Sequence, residues 1–391
     1  MIAFTFPGQG AQRPGFGRAW TDHPSWELVA EASEIAGRDV ARLLLDADAD
    51  ELRATRNAQL STFVASLVVL DAVERLGIAP HRTAGHSLGE YTALTAAGVL
   101  AFDEGVRLVV ERGDAMQAAA DEREGTMRAV LGLDDEQMAV ACARVAGEVW
   151  PANFNAPGHT VIAGSPGAVA EACSVARDLG ATKVLDVPVG GAFHTPLMAS
   201  ARSRLHKALA GAEWRTPDTP VVANVDAMVH TGSADWHNLL SAQLCSPVRW
   251  RQSVATLVDH GVRTFLELGP GAHLTGLARR NARDARAIAV SCPDDLDGLL
   301  EALSGAHPES PLAGEHLYVA ERLVVTPAAG VFRRSAALGE GSALEAGMAV
   351  GDVSGQPVCS AFAGRLMAYL ALDGERVTPS QPVAWLIAGD G

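Results

Sequence analysis

The chain has 391 residues, 48% of them apolar and 20% charged, with a formal net charge of −15. That is a globular composition, long enough for two domains each with its own core, and the acidic excess excludes nucleic acid as a partner because phosphate binding needs a local surplus of Lys and Arg. No apolar run reaches the ~20 residues of a membrane-spanning helix. The five cysteines, Cys142, Cys173, Cys245, Cys292 and Cys359, are scattered and form no C-x-x-C pair. Reduced thiols in a cytoplasmic protein are therefore expected, with no disulfide frame and no zinc or other metal site. The N-terminus MIAFTFPGQG has no basic residue before Arg13 and no cleavage pattern, so no signal peptide is expected.

In chain order, IAFTFPGQGAQ reads as a strand, a Gly-rich turn and the approach to a helix that extends from about Pro24 to Leu44. A long helix is predicted from about Asn57 to Leu76, with Leu60, Phe63, Val64, Leu67 and Leu70 at helical spacing. A short strand then ends at Gly85, a tight turn carries Ser87, and YTALTAAGVL continues as helix. Alternating strand and helix signals imply an α/β core with a mainly parallel sheet. From Gly125 to about Val189 the rhythm changes to β-α-β-β-α-β, the order of a ferredoxin-like unit inserted into the larger fold. The expected organisation is an α/β-hydrolase-like subdomain over 1–124 and 190–302, a ferredoxin-like subdomain over 125–189, a linker over 303–316 and a small β domain over 317–391.

The last piece holds an internal repeat. VVTPAAGVF from Val324 matches VCSAFAGRL from Val358, and GSALEAGMAV from Gly341 matches GERVTPSQPV from Gly374. Two copies are too few for a solenoid, so an all-β domain with pseudo-twofold symmetry is expected. Lysine occurs only at Lys183 and Lys207, so no residue beyond Lys207 can be acylated on a lysine.

Gly85-His86-Ser87-Leu88-Gly89 matches G-x-S-x-G between a strand and a helix, where the glycines permit a sharp turn and the helix start sets backbone N–H groups beside the serine oxygen. The bland alternative is an ordinary Gly-rich turn. A nucleophilic serine needs a base, and of twelve histidines His194 stands out, after the Gly-Gly-Ala-Phe turn that follows the insertion. Arg112, in VVERGDAMQ, could by position be a surface arginine paired with Glu111 or Glu104.

FPGQGAQ, GHSLGEY, ERGDAMQ, NFNAPGHTVIAG, GAFHTPLM, QLCSPVRW and FLELGPGAHLTGL occur in the order seen in malonyl-CoA:acyl carrier protein transacylases, and residues 1 to 300 resemble that family throughout. The resemblance implies that Ser87 attacks the thioester and that His194 takes its proton and later returns one to the leaving thiol. It implies that the Gln243 carbonyl orients the imidazole, with no acidic third member, and that the N–H groups of Gln9 and Leu88 hold the oxyanion. Arg112 would fork onto the free carboxylate of malonate, and His86, Met116, Asn153, Asn155 and Phe193 would line the acyl site. The implied partners are malonyl-CoA and an acyl carrier protein in fatty acid or polyketide synthesis, with the enzyme a monomer needing no cofactor.

His159 departs from the family, which commonly has glutamine there, and bulky Phe193 favours malonyl over methylmalonyl. The tail resembles a biotinyl/lipoyl-like hammerhead whose tip, Ser354-Gly355-Gln356-Pro357, lacks the attachment lysine. Two rivals remain at this point. One is a hydrolase that strips acyl groups from carrier proteins with the same Ser87 and His194, which would have no need of Arg112. The other is a non-catalytic carrier-binding scaffold. For an acidic carrier, Arg177, Lys183, Arg202, Arg204 and Lys207, with Arg249 and Arg251 as a second cluster, are the expected docking surface.

Overall fold

Ile2–Phe6 (β1) is apolar apart from Thr5 and buried from Ala3 onward, the pattern of a strand covered on both faces of a parallel sheet. In the computed structural model, which describes residues 1–304, 321–378 and 381–388, it lies in the first of two units, residues 1–303 and 304–391. Helices α1 (Glu27–Ala36), α2 (Val40–Leu45), α3 (Ala49–Arg53) and α4 (Thr55–Arg75) follow. The one helix expected over Pro24 to Leu44 is broken: Gly37 ends α1 at a left-handed φ of 61°, and the Asp39 carboxylate caps α2 by accepting from the Arg42 N–H. Helix α4 is buried nearly all round, so its polar residues Gln59, Ser61, Thr62 and Ser66 lie inside with its apolar ones.

Strand β2 (Arg82–Gly85) pairs in parallel with β1 and delivers the turn at Ser87, after which come α5 (Gly89–Ala96) and α6 (Phe102–Glu122). Glycine is required at both ends of that turn. A Cβ on Gly85 would sit 1.8 Å from the Gly89 carbonyl oxygen, and one on Gly89 would sit 2.0 Å from that of Phe6.

The middle of the unit is β3 (Thr126–Leu131), α7 (Asp135–Ala143), β4 (Val149–Ala156), β5 (His159–Gly164), α8 (Pro166–Asp178) and β6 (Lys183–Val187). Its strands form an antiparallel sheet of order β4-β5-β3-β6 around a separate core that includes Val130, Met138, Ile162 and Val169. The chain then returns through α9 (Ala199–Gly211), β7 (Val221–Val222), β8 (Val229–His230), α10 (Trp236–Gln243) and α11 (Trp250–Asp259). It closes with β9 (Thr264–Leu268), α12 (His273–Asn281), β10 (Arg286–Val290) and α13 (Asp295–Ser304). The large sheet runs β10-β9-β1-β2-β7-β8 and is parallel except where β8 folds back on β7. Side chains alternate between its faces: Phe4, Phe6, Leu266 and Leu268 enter one core, Ala3, Ala84 and Phe265 the other.

The second unit is all β among the described residues: β11 (Glu321–Val325), β12 (Gly330–Arg334), β13 (Ala343–Leu344), β14 (Ala349–Val353), β15 (Gln356–Cys359), β16 (Gly364–Tyr369), β17 (Arg376–Val377) and β18 (Pro382–Ala388). They form two four-stranded sheets, β11-β18-β16-β13 and β15-β14-β12-β17. Exchanging β11 to β14 for β15 to β18, copy for copy, turns one order into the other. Hydrogen bonds obey the same exchange, since the Gly341 N–H donates to the Leu366 carbonyl at 2.6 Å and that of Gly374 to the Phe332 carbonyl at 2.8 Å. Both glycines are left-handed, at φ 88° and 83°. The tip is narrower than expected. Val353 pairs with Gln356, leaving Ser354 and Gly355, at φ 52° and 87°, as a two-residue turn whose twist suits a hairpin. The expected linker over 303–316 lies beyond residue 304 outside the described residues, as do Pro379 and Ser380 of the PSQPVAWL fragment.

The close approach at the Ser87 turn yields a paired expectation. Gly89→Ala should destabilise the first unit by about 3 kcal/mol or more, because backbone must move. Gly298→Ala, in α13 where a Cβ meets nothing within 4 Å, should stabilise by up to ~1 kcal/mol through helix propensity. Thermal denaturation of both variants checks this, and equal melting temperatures would contradict the packing described.

Candidate active site

Ser87 sits between β2 and α5 with φ 54°, a conformation that a non-glycine residue adopts only when held. It is held from both sides. Asn224 Oδ1 accepts from its N–H at 2.8 Å, and Gln243 Nε2 donates to its carbonyl at 2.9 Å. The turn aims Oγ at His194, whose Nε2 lies 2.7 Å away. His194 is itself left-handed, at φ 61°, and Nδ1 donates to the Gln243 carbonyl at 2.8 Å. That bond leaves Nε2 as the ring's acceptor, facing the serine hydroxyl. Burial, reinforced by the nearby Arg112 charge, pushes the imidazole down to about 3, so it is neutral at physiological pH and its Nε2 lone pair is open to a proton.

Arg112 projects from α6 into the same site and is only 1% exposed. Its Nη1 donates to Gln59 Oε1 at 2.6 Å, and its Nη2 donates to Gln243 Oε1 at 2.9 Å and to Ser87 Oγ at 3.2 Å. The guanidinium also lies over the Tyr91 ring, 5.4 Å from its centroid. Burial lowers its affinity for a proton, and no carboxylate pairs with it directly among the described residues. Its Nε–H is buried without a partner. The surface-arginine alternative does not hold: Glu111 is taken by Arg204, and Arg107 is the residue that pairs with Glu104.

A cavity of about 70 Å³ meets Ser87, Arg112 and His194, with Met116 and Phe193 on its apolar wall. Phe193 can reach it because Gly191 makes room: a Cβ there would lie 2.6 Å from the ring. A larger cavity of about 560 Å³ shares Gln9, His86 and Asn153 with the small one and extends outward past His159 and His273. His86 Nε2 meets Asn155 Oδ1 at 2.9 Å, and burial pushes its imidazole down to about 4. Asn153 lines both cavities, and its Oδ1 is buried without a partner. The N–H groups of Gln9 and Leu88 also have no partner among the described residues. His159 stands beside Arg280, 3.4 Å from Nδ1 to Nη1.

The expected catalytic and acyl-site residues thus fall around one serine, whereas His159 and the expected docking residues do not line the small cavity. Three more that the sequence did not flag hold them there: Gln59 behind Arg112, and Asn224 and Glu90 beneath the turn. Glu90 was in view inside GHSLGEY, whereas nothing local marks Asn224 or Gln59. Within the expected basic docking surface, Arg204 pairs with Glu111 and Arg251 with Asp135 at 2.6 Å. Among the described residues no group of His, Cys, Asp or Glu is placed to hold a metal ion, and no helix is long and apolar enough to cross a membrane.

Fold and site together define an acyl transferase, and residues 3–297 match the family model described as acyl transferase domain. The malonyl CoA-acyl carrier protein transacylases of Bacillus subtilis and Escherichia coli K12 are each 40% identical, over 77% of this chain and 97% and 99% of theirs. A solved malonyl-CoA:acyl carrier protein transacylase from Xanthomonas oryzae is 42% identical with a TM-score of 0.74, covering 77% of this chain and 98% of that one. A type II PKS acyl-carrier protein in complex with its malonyl-transacylase superposes with a TM-score of 0.75 at 38% identity, covering 77% and 99%. The chain belongs to the malonyl-CoA:acyl carrier protein transacylase family.

The buried histidines make a pH expectation. The folded state disfavours the imidazolium of His194, so His194 should stay neutral as pH falls through 6.5 and take a proton only toward 3. The unfolded chain binds that proton near 6.5, so the shift should cost stability progressively as pH drops from 6.5 toward 3. NMR of ring-labelled histidine, assigned with His194→Ala, checks it; a His194 resonance titrating near 6.5 would refute it.

Proposed function

We propose that the protein moves a malonyl group from malonyl-CoA to the phosphopantetheine thiol of an acyl carrier protein through an ester on Ser87. The observation that carries this reading is Arg112, a buried cation with no direct carboxylate partner among the described residues, whose Nη2 touches the nucleophile's oxygen. A malonyl group esterified to Ser87 brings a carboxylate within reach of that guanidinium, with Nε–H free to donate. An acyl group without the carboxylate leaves the cation unpaired, which disfavours it. The same feature speaks against the acyl hydrolase rival, and a site with nucleophile, base and clamp in contact speaks against a mere scaffold.

Ser87 Oγ attacks the thioester carbonyl while its proton passes to His194 Nε2, and the Gln243 carbonyl steadies the imidazolium at Nδ1. The N–H groups of Gln9 and Leu88 take the oxyanion. Collapse breaks the C–S bond, and the imidazolium returns the proton to the CoA thiolate. The carrier's thiol then repeats the steps in reverse order, giving its proton to His194 and releasing Ser87. Each half exchanges one ester for another with no net redox change, so this route calls for no metal or cofactor. Met116 and Phe193 bound the acyl cavity, Asn155 orients His86, and the larger cavity with the free Asn153 acceptor takes the pantetheine arm.

The antiparallel β4-β5-β3-β6 order supports reading residues 125–189 as a ferredoxin-like subdomain of an α/β-hydrolase-like unit over 1–124 and 190–302. The exchange symmetry of the second unit supports a biotinyl/lipoyl-like hammerhead, in which Ser354 and Gly355 stand at the tip instead of a lysine. Such a unit serves in docking or as a structural appendage rather than as a cofactor carrier. Five free cysteines support a reducing, cytoplasmic setting, and a monomer is sufficient because every group named comes from one chain.

Intact-protein mass spectrometry after incubation with malonyl-, methylmalonyl- and acetyl-CoA tests the reading. The wild type should carry a malonyl adduct on Ser87, and Ser87→Ala none. Arg112→Ala should lose malonyl kcat/KM by roughly 10²-fold or more while acetyl transfer falls far less. A malonyl adduct on Ser87→Ala, or an unchanged ratio of the two donors in Arg112→Ala, would overturn it.

A further inference from the structure

Beneath the nucleophile lies a carboxylate that the mechanism above does not use. Glu90, on the first turn of α5, is wholly buried. Its Oε1 accepts from the Asn224 N–H at 2.8 Å, and its Oε2 accepts from Gln243 Nε2. Those two partners are the groups that hold Ser87: Asn224 Oδ1 on its N–H, Gln243 Nε2 on its carbonyl. Asn224 Nδ2 also donates to the Gly85 carbonyl at 2.7 Å, at the start of the turn. Gln243 further presents Oε1 to Arg112 and its backbone carbonyl to His194. One carboxylate therefore fixes the amide that sets the nucleophile and the acyl clamp, in the residue whose carbonyl orients the base.

We infer that Glu90 is a positioning residue for malonyl transfer, its ionised carboxylate locking Gln243 and Asn224 so that Ser87 and Arg112 stand in reactive register. Both of its partners are N–H donors, so it serves only as a double acceptor. A protonated carboxyl puts an O–H among donors and loosens one of the two bonds. Burial raises Glu90 from 4.5 to about 7 against the pull of the Asn224 and Gln243 bonds and the Arg112 charge, with Asp226 adding to the rise. Tyr91 is the neutral neighbour on the same helix, and His194, bonded to the Gln243 carbonyl, stays uncharged in this range. Transfer should therefore fall as pH drops through about 7 in step with protonation of Glu90, far above the His194 titration.

The inference rests on malonyl transfer through Ser87, and the test separates the two. Wild type and Glu90→Gln are compared for malonyl and acetyl self-acylation from pH 5 to 9, with folding followed by circular dichroism. Glu90→Gln keeps the shape but supplies one acceptor for two donors. It should lose roughly 10²-fold in kcat with little change in KM for malonyl-CoA, lower the malonyl-to-acetyl ratio, and lose the acid limb near pH 7. A folded Glu90→Gln with wild-type kcat, or with the acid limb intact, would overturn the inference while leaving the wild-type adduct on Ser87 in place. No adduct on the wild type would sink the transfer reading instead. Should Glu90→Gln not fold, Glu90→Asp carries the test: it keeps the charge but draws it back by one methylene, so it should keep an acid limb at reduced kcat. Wild-type kcat in that variant overturns the inference.

Discussion

The left-handed backbone at Ser87 is the constraint on which the rest of the site depends. A side chain other than glycine at φ 54° costs of order 1–3 kcal/mol, and the chain accepts it only because the surroundings leave no alternative. Gly85 and Gly89 let β2, the turn and α5 close to within contact of each other and of Phe6. Asn224 and Gln243 then bond both polar groups of the Ser87 peptide, so relaxing φ would break buried hydrogen bonds worth about as much as the strain. The serine is presented at the end of a parallel strand, on the side of the sheet where β1 also delivers Gln9. Ser87 and Leu88 just beyond β2, and Gln9 just beyond β1, are thus brought together by the parallel pairing of those two strands.

Under the proposed reading, Arg112 turns the same packing into specificity. Taking a guanidinium from water to a site 1% exposed is costly, and among the described residues its direct contacts are amide oxygens, a hydroxyl and a ring face, with the Glu90 charge acting from behind Gln243. Such a cation gains most from an anion that enters with the substrate. Neutral acceptors around it hold its orientation without a direct ion pair, which leaves the guanidinium able to pair with an incoming carboxylate. A direct Arg112–Glu90 pair would have spent that capacity within the protein, and the Gln243 amide interposed between them prevents it.

Much of this was legible before the fold was known. The G-x-S-x-G spacing marked Ser87 because three close positions encode the turn, and the seven ordered motifs drew His194, Arg112 and Gln243 to it. The strand-helix rhythm of the middle segment showed its element order for the same reason, that each period is local. What stayed hidden is long-range and chemically ordinary. Asn224 meets Ser87 across 137 positions and Gln243 meets Glu90 across 153, through asparagine, glutamine and glutamate that occur elsewhere in plenty. Gln59 was masked by its own helix, read as an apolar stripe when α4 is in fact buried all round. The break between α1 and α2 was missed because Gly37 and Asp39 act as end signals that a run of helical periodicity outweighs.

The second unit shows how far a repeat carries without a function attached. Offsets of 34 and 33 residues between matching fragments become two sheets whose strand orders interchange, and equivalent glycines, Gly341 and Gly374, bond to equivalent carbonyls. Symmetry of this kind is imposed by packing, since Phe332 and Leu366 fill one core from opposite copies. It places no demand on the tip, where only the turn's twist must be right, and Ser354-Gly355 satisfies that with two positive φ values. The core of the unit and its tip are built by different residues, so the paired sheets ask nothing of the tip beyond its turn. The last lysine of the chain is Lys207, so the tip of this unit is set by the turn alone.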